Sequence, residues 1–423
     1  MTQAIPADRL DLAAYLKPGD SIVLGQACGE PGTLVEALIE QGRGIGGLSA
    51  FIGSSFSGLL KSEAQQSFAL SSMGAIGSLR SLAKKGKLTI VPLHMSQIGP
   101  AIGAGTLKCD VAMIQVSPAN AEGYHSCGLV SDHIRAAVRS ARVVIAEVNE
   151  CVPYTYGEAV HESEIDVTVP VARPPVQLRS AEADQITKAI AGHCAGFIDD
   201  GCVIQTGVGA LPDAILRQLG DRRDLGIHSG MLGEGLVGLV EAGVITNASK
   251  KIDTGISIAG ALVGTDRLYR FADRNPAIRM APATYTHDAA VIAQLARFVA
   301  INSAVEVDLT GQVNAEAIDG AYLGATGGLV DFTRAAAHSS GGRSIIALPA
   351  TARGGSVSRI VATLSGPVTV PRSDAGVIVT EFGVAELRGC SLAERARRMV
   401  RIAHPDFQRD LDEAAHTIAR QGL

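Results

Sequence analysis

Short apolar, β-branched runs recur along the chain, separated by Ala- and Leu-rich stretches with helical spacing. SIVLG (21–25), KLTIVPL (87–93), VAMIQV (111–116), VVIAEV (143–148), CVIQTG (202–207) and SIIALP (344–349) show almost no polar alternation. A strand half-exposed to water would alternate; a parallel strand covered on both faces has no reason to. Residues 131–140 and 210–219 carry apolar positions three to four apart, the period of a helix packed on such a sheet. The alternation predicts an α/β fold with parallel sheets sandwiched between helices.

The pattern also repeats. PGDSIVLGQACGEPGTLVEAL (18–38) resembles DGCVIQTGVGALPDAILRQL (200–219), with Gly19 matching Gly201, Gly25 matching Gly207 and a proline at the opening of the helix that follows. CGLVSDHIRAAVRSARVVIAEV (127–148) likewise matches GGLVDFTRAAAHSSGGRSIIALP (327–349), with one-residue slips. Similarity at a consistent spacing reads as duplication of one α/β unit. At 423 residues the chain exceeds the size at which a single core stops growing, so two domains are expected. Prolines cluster in VPVARPPVQLRSAEADQ (169–185), which places the boundary there and predicts domains of 1–180 and 181–423.

Composition excludes several classes. The net charge of −5, the absence of Trp and the lack of basic runs interleaved with aromatics argue against a nucleic-acid partner. No basic segment followed by an apolar stretch opens the chain, and no apolar run is long enough to span a bilayer, so a cytoplasmic protein with no membrane association is expected. Seven cysteines are scattered without a CxxC pair, and no His/Asp/Glu spacing resembles a metal site; neither a disulfide frame nor a bound metal is expected.

Two glycine loops carry candidate chemistry. GVGALP (207–212) joins an apolar run to a helical pattern, so the amides of Gly207, Val208 and Gly209 are placed to face an anion at a helix start. Pro212 stands where a dinucleotide fingerprint has its third glycine, and a plain strand–helix turn explains the loop equally well. GATGG (324–328) is the second, with Gly324, Gly327 and Gly328 before another helix. A third stretch, GIHSGMLGEG (226–235), has one histidine, one serine, one carboxylate and glycines that suit a tight backbone path beside a ligand.

GDRRDLGIHSGMLGEGLVGLVEAGVITNASKK, INSAVEVDLTGQVNAE, GATGGLVDFTRAA, GGRSIIALPATARGGSVSRIV, VTVPRSDAGVIVTEFGVAELRG and IAHPDF closely resemble the acetyl-CoA hydrolase/transferase family, and DVAMIQVSPANAEGYHSCG extends the likeness into the first half. The resemblance implies two tandem, internally duplicated open α/β domains of class I CoA-transferase type, a homodimer, and an acyl-CoA thioester as substrate with a small carboxylate as acceptor and no resident cofactor. Transferases of this family attack the thioester with a glutamate, pass through a mixed anhydride and hold CoA as a glutamyl thioester, splitting one hard exchange into easier steps.

This sequence departs from the family where that mechanism needs it most. The glutamate belongs between Ser229 and Met231, and the residue there is Gly230. In TYTHDAAVI (284–292), His287 stands where the family commonly has an asparagine that polarises the thioester carbonyl, and Leu329 replaces a glutamine after the second glycine loop. His287 is a candidate carbonyl donor or base, since imidazole takes up a proton near neutral pH. Glu234 is a candidate general base: a helix running from 231 onward would put positions 230 and 234 on one face, about 6 Å apart. A helix-start carboxylate favoured by the macrodipole is the plainer account of Glu234. His228 is expected to be a buried structural histidine, YHSCG (124–128) to be scaffold, and Arg372, Asp374 and Glu381 to form structural ion pairs.

The expected activity is therefore hydrolysis of an acyl-CoA, with Gly230 marking the vacant nucleophile position, backbone amides near Gly327 and Gly328 stabilising the oxyanion, and His287 or Glu234 activating water. Transfer through a displaced carboxylate, hydrolytic C–C cleavage of a CoA ester and a catalytically silent CoA-binding protein are the alternatives.

Overall fold

A computed structural model describes residues 3–421 and divides the chain into two compact units. The first gathers the chain up to Arg179 together with Gly230–Leu232 and Ile256–Thr286; the second comprises Ser180–Ser229, Gly233–Gly255 and the chain from His287 onward.

The first unit is built on an eight-stranded parallel sheet in the order Gln3–Ala4, Val167–Val171, Val143–Asn149, Val111–Val116, Ser21–Leu24, Ser49–Phe51, Ala69–Ser72, Thr89–Ile90. All six residues of Val111–Val116 are buried, which is why its sequence shows no alternation. Helix Gly32–Ile45 covers one face, sinking Leu34, Val35 and Leu38 into the core with Ile22, Leu24 and Ile145. Full burial of each such side chain stabilises by about 1.5–3 kcal/mol. That helix opens on Pro31, which offers no side-chain cap; instead Glu147 Oε2 accepts the amide protons of Thr33 (2.7 Å) and Leu34 (3.2 Å). A further parallel ladder joins Ser257–Leu262, Ile278–Met280 and Tyr156–Gly157.

In the second unit the strands run Gly383–Glu386, Val377–Thr380, Arg343–Ala347, Phe298–Ser303, Val203–Thr206 and then residues 226–229 of the strand Gly226–Leu232, parallel except for the Gly383–Glu386 edge. Helix Leu329–His338 packs Phe332, Ala335 and Ala336 against Val203, Phe298 and Ala300 on one face. Helix Leu392–Arg401 buries Ala396 and Met399 in a separate cluster with Ile346 and Ile378.

The two units share one topology. Ser21–Leu24 lies between Val111–Val116 and Ser49–Phe51, and its repeat partner Val203–Thr206 lies between Phe298–Ser303 and Gly226–Leu232. The helices Ile134–Ser140 and Leu329–His338 each precede the next strand outward, Val143–Asn149 and Arg343–Ala347. Gly19 and Gly201, paired in the sequence repeat, both turn with positive φ (88° and 71°), a conformation glycine adopts without steric cost. Every apolar run quoted from the sequence contains a strand, and the helix of 210–219 appears as Ala210–Arg217. The helix expected over 131–140 begins only at Ile134, leaving Ser131, Asp132 and His133 outside it. Among the described residues no helix is long and apolar enough to cross a membrane.

Candidate active site

His287 and Gly328, far apart in sequence, meet in the second unit. Helix Leu329–His338 starts from Gly328, and His287 is 5 % exposed. A Cβ on Gly328 would collide with His287 Nε2 and come within 3.1 Å of Phe332 Cε2, so glycine is what admits the imidazole to the helix start. The ring lies on Phe332, centroids 4.4 Å apart. A carbonyl oxygen held at the start of this helix therefore meets both backbone dipoles and an imidazole nitrogen, the combination that stabilises negative charge developing on an acyl oxygen.

The glycine loops lie where the pattern put them. Gly209 turns with φ 116° and caps the eight-residue helix Ala210–Arg217, with Gly207 and Val208 preceding it; Gly327 turns with φ 52° ahead of Gly328, and Gly324 lies at the loop's start. Each helix already carries a carboxylate in its first turn, Asp213 (buried) and Asp331. An acidic side chain there competes with a bound phosphate for the positive end of the helix.

GIHSGMLGEG forms a strand, not a helix, as far as Leu232: Gly226–Leu232 is extended and largely buried, and the next helix is Gly235–Glu241. The shared helical face expected for positions 230 and 234 therefore does not exist. Alternation of Gly with small or apolar residues fits a covered strand, and the glycine pair at 233 and 235 breaks it before the helix can begin. Glu234 takes the N-cap position of Gly235–Glu241 and is half-buried. Gly230 is buried in the strand.

Sequence reasoning missed a carboxylate beside Gly230. In the first unit, Asp132 is 6 % exposed and holds φ at 23°, a strained value for a residue with a side chain. The segment is pinned by Ser131 N–H donating to Gly260 O (2.8 Å), Leu262 N–H to Leu129 O (2.8 Å) and Ala283 N–H to Asp132 O (2.9 Å). Asp132 Oδ2 accepts from Gln26 Nε2 at 2.5 Å, while Oδ1 lies against Cα of Gly260: a Cβ there would collide with Oδ1 and sit 2.9 Å from Gly230 O. Burial pushes the Asp132 carboxyl up to about 7, with the Gln26 hydrogen bond opposing. The amide oxygen of Gln26, Oε1, is buried with no partner, a cost of about 1–3 kcal/mol that the fold accepts while the amide nitrogen engages Asp132.

The remaining candidates are held by contacts within the fold. His125 Nδ1 lies 2.8 Å from Ser117 O, Ser126 Oγ donates to Thr155 O (2.7 Å), and burial pushes the Cys127 thiol up to about 12, far from a reactive thiolate. His228 is fully buried, edge-on to Phe298. Asp374 pairs with Arg334 (2.7 Å), Glu381 accepts from Ala350 N–H (2.8 Å), and the Arg372 carbonyl accepts from Arg395. Among the described residues no group of three or more His, Cys, Asp or Glu is placed to hold a metal ion.

A duplicated α/β sheet with glycine-opened helices and a histidine at one helix start defines an enzyme of the CoA-transferase fold. The chain belongs to the acetyl-CoA hydrolase/transferase family: residues 7–178 match its N-terminal domain and 264–415 its C-terminal domain. It is 38 % identical over 395 residues to the 4-hydroxybutyrate coenzyme A transferase of Clostridium kluyveri, covering 92 % of each chain. Among solved structures it is similar to RipA from Yersinia pestis (TM-score 0.93, 36 % identity, 98 % and 97 % of the two chains). It is also similar to a 4-hydroxybutyrate CoA-transferase from Porphyromonas gingivalis (TM-score 0.83, 32 % identity, 99 % and 97 %). Other relatives are named mostly as CoA-transferases, with acetyl-CoA hydrolases among them.

Proposed function

We propose that this protein hydrolyses an acyl-CoA thioester by direct attack of water. The observation that carries the reading is Gly230: where the resembling transferases place their glutamate nucleophile, a buried strand residue has no side chain. Without a nucleophile no acyl or CoA adduct forms at that position, and the simplest attacking group is water. The helix start at Gly328, with the amides of Gly327 and Gly328, binds the thioester oxygen, and His287 Nε2 beside it donates to that oxygen or takes a proton from water. Gly207, Val208, Gly209 and Gly324 offer backbone amides to CoA, and Glu234 is a second candidate base. Coenzyme A enters as part of the substrate, so no resident cofactor is required.

The names of the relatives favour a second reading, transfer of CoA to a small carboxylate through a displaced carboxylate nucleophile. Mass spectrometry of the purified chain with acetyl-, butyryl- and 4-hydroxybutyryl-CoA, with and without added acetate, separates the two. Hydrolysis gives equal amounts of free CoA and free acid at a rate independent of acetate, with the protein mass unchanged after borohydride treatment. Formation of acetyl-CoA from butyryl- or 4-hydroxybutyryl-CoA when acetate is added, or a borohydride-sensitive adduct, refutes it. His287→Ala is expected to lower kcat by about 100-fold.

A further inference from the structure

A cleft of about 320 Å³ opens further along the helix that begins at Gly328, large enough for a small-molecule ligand. Arg334 and His338 line it from the second half of Leu329–His338, Ser373 and Asp374 from the loop before Val377–Thr380, and Arg388 from the turn after the edge strand Gly383–Glu386. All of these residues belong to the second unit. Their charges do not cancel. Asp374 Oδ2 accepts from Arg334 Nε at 2.7 Å, which fixes that guanidinium by one edge and leaves both η-nitrogens without an acceptor among the described residues. Arg388 is exposed and has no side-chain partner among them, and Glu386, the acid two residues before it, is taken by Arg343 at 3.2 Å. The turn that carries Arg388 is nonetheless anchored: Leu387 is fully buried and its N–H donates to Gly376 O (2.8 Å). The dipole at the helix end accounts for His338, and the ion pair accounts for one edge of Arg334; neither accounts for Arg388. In a chain with 42 acids against 37 lysines and arginines, two arginines around one acid in a concave surface leave positive charge for an anion to balance.

We infer that this cleft binds a phosphate monoester, its phosphoryl group held by the η-nitrogens of Arg334 and the guanidinium of Arg388. Ser373 Oγ and the His338 imidazole are the neighbouring donors, and Asp374 is the residue that orients Arg334. A guanidinium presents a planar fork that matches two oxygens of a phosphate, through hydrogen bonds strengthened by charge. A carboxylate has two oxygens and one charge, enough for a single fork; a phosphate monoester has three terminal oxygens and close to two charges, enough for both arginines. Two sources carry that group: a small phosphate ester, and the monoester on the ribose of CoA. Such binding makes and breaks no bond and is independent of the thioester reaction proposed above.

The test is titration calorimetry of the full chain, in phosphate-free buffer, with glycerol 3-phosphate, CoA and dephospho-CoA, paired with phenylglyoxal labelling of arginines read by peptide mass spectrometry. Bound ligand should slow labelling of Arg388 by at least about fivefold and leave exposed Arg43 of the first unit unchanged. Protection by glycerol 3-phosphate shows that a small ester suffices; protection by CoA but not by dephospho-CoA assigns the cleft to the substrate's own monoester; each supports the inference. Arg388→Ala removes an exposed side chain with no partner, so it should fold normally and bind about 10- to 100-fold more weakly, the weight of one charge-assisted contact. Arg334→Lys keeps the charge but loses the fork, and should weaken binding by at least about fivefold. Arg388 left unprotected by both glycerol 3-phosphate and CoA, protection by CoA and dephospho-CoA alike with none by glycerol 3-phosphate, or unaltered affinity in Arg388→Ala would each overturn it.

Discussion

The burial of Asp132 makes a prediction about stability that does not depend on any substrate. Desolvation raises its carboxyl from an ordinary 3.8 to about 7, and the single neutral donor of Gln26 only partly opposes this. Each pKa unit corresponds to about 1.4 kcal/mol, so ionising Asp132 in the folded protein costs about 4 kcal/mol more than ionising it in the unfolded chain. Because the folded value lies above the unfolded one, the group's stabilisation is complete below pH about 4 and is lost as pH rises towards 7. Part of the loss has occurred by pH 5; the part falling between pH 5 and pH 8 is roughly 2–3 kcal/mol. Asp132→Asn keeps the shape and the contact with Gln26 but cannot ionise. Urea unfolding followed by circular dichroism suits a chain with no Trp. Relative to the Asn variant, the wild-type protein should weaken by that amount between pH 5 and pH 8. Other buried acids of the first unit, Glu30 and Glu147, are also pushed up by burial, but they titrate alike in both proteins and cancel in the difference. Parallel stability–pH curves would refute the reasoning and mean that water or local opening relieves the carboxylate.

Two further outcomes follow from contacts described above. Gly328→Ala has an allowed backbone (φ −94°), so its effect is steric: the new methyl displaces His287 Nε2 from the helix start, and kcat for thioester hydrolysis should fall by about 100-fold in a protein that still folds; unchanged turnover would remove His287 from the site. Timed iodoacetamide labelling of the native protein, read by peptide mass spectrometry, should modify exposed Cys151 first and leave Cys28, Cys127 and Cys194 unmodified, their thiols pushed up by burial to about 11, 12 and 12; early labelling of Cys127 would reopen YHSCG as a reactive centre.

What the sequence shows, and what it hides, divides along a physical line. The strands were legible because burial on both faces removes polar residues from a run, as in Val111–Val116, and the duplication was legible because two sheets of the same topology repeat the same turn glycines, Gly19 and Gly201. Gly328 and His287 could be singled out, but not their contact, which depends on a missing Cβ some forty residues away in sequence. Glu234 was misplaced because small and apolar residues in GIHSGMLG satisfy a buried strand and a helix alike, and only the glycines at 233 and 235 decide between them.

Asp132 was hidden by the repeat itself. Aligning CGLVSDHIRAA with GGLVDFTRAA pairs Asp132 with Asp331 across a one-residue slip, and both read as acids at a helix start. In the second copy that reading holds, since Asp331 lies in the first turn of Leu329–His338. The extra residue of the first copy delays the helix to Ile134 and leaves Asp132 in a strained, non-helical segment hydrogen-bonded to the Gly260 strand. A carboxylate in the first turn of a helix is stabilised by the dipole and stays ionised in water; the same carboxylate moved off the helix and under a neighbouring strand loses both dipole and solvent. The slip thus converts a capping acid into a buried one of raised pKa, next to Gly230. Deleting Ser131 to restore the register of the second copy should return the Asp132 carboxyl towards its ordinary value, which carbon-13 NMR titration of the labelled carboxyl would detect; a titration midpoint still near 7 would mean that the surrounding pocket, not the slip, sets its chemistry.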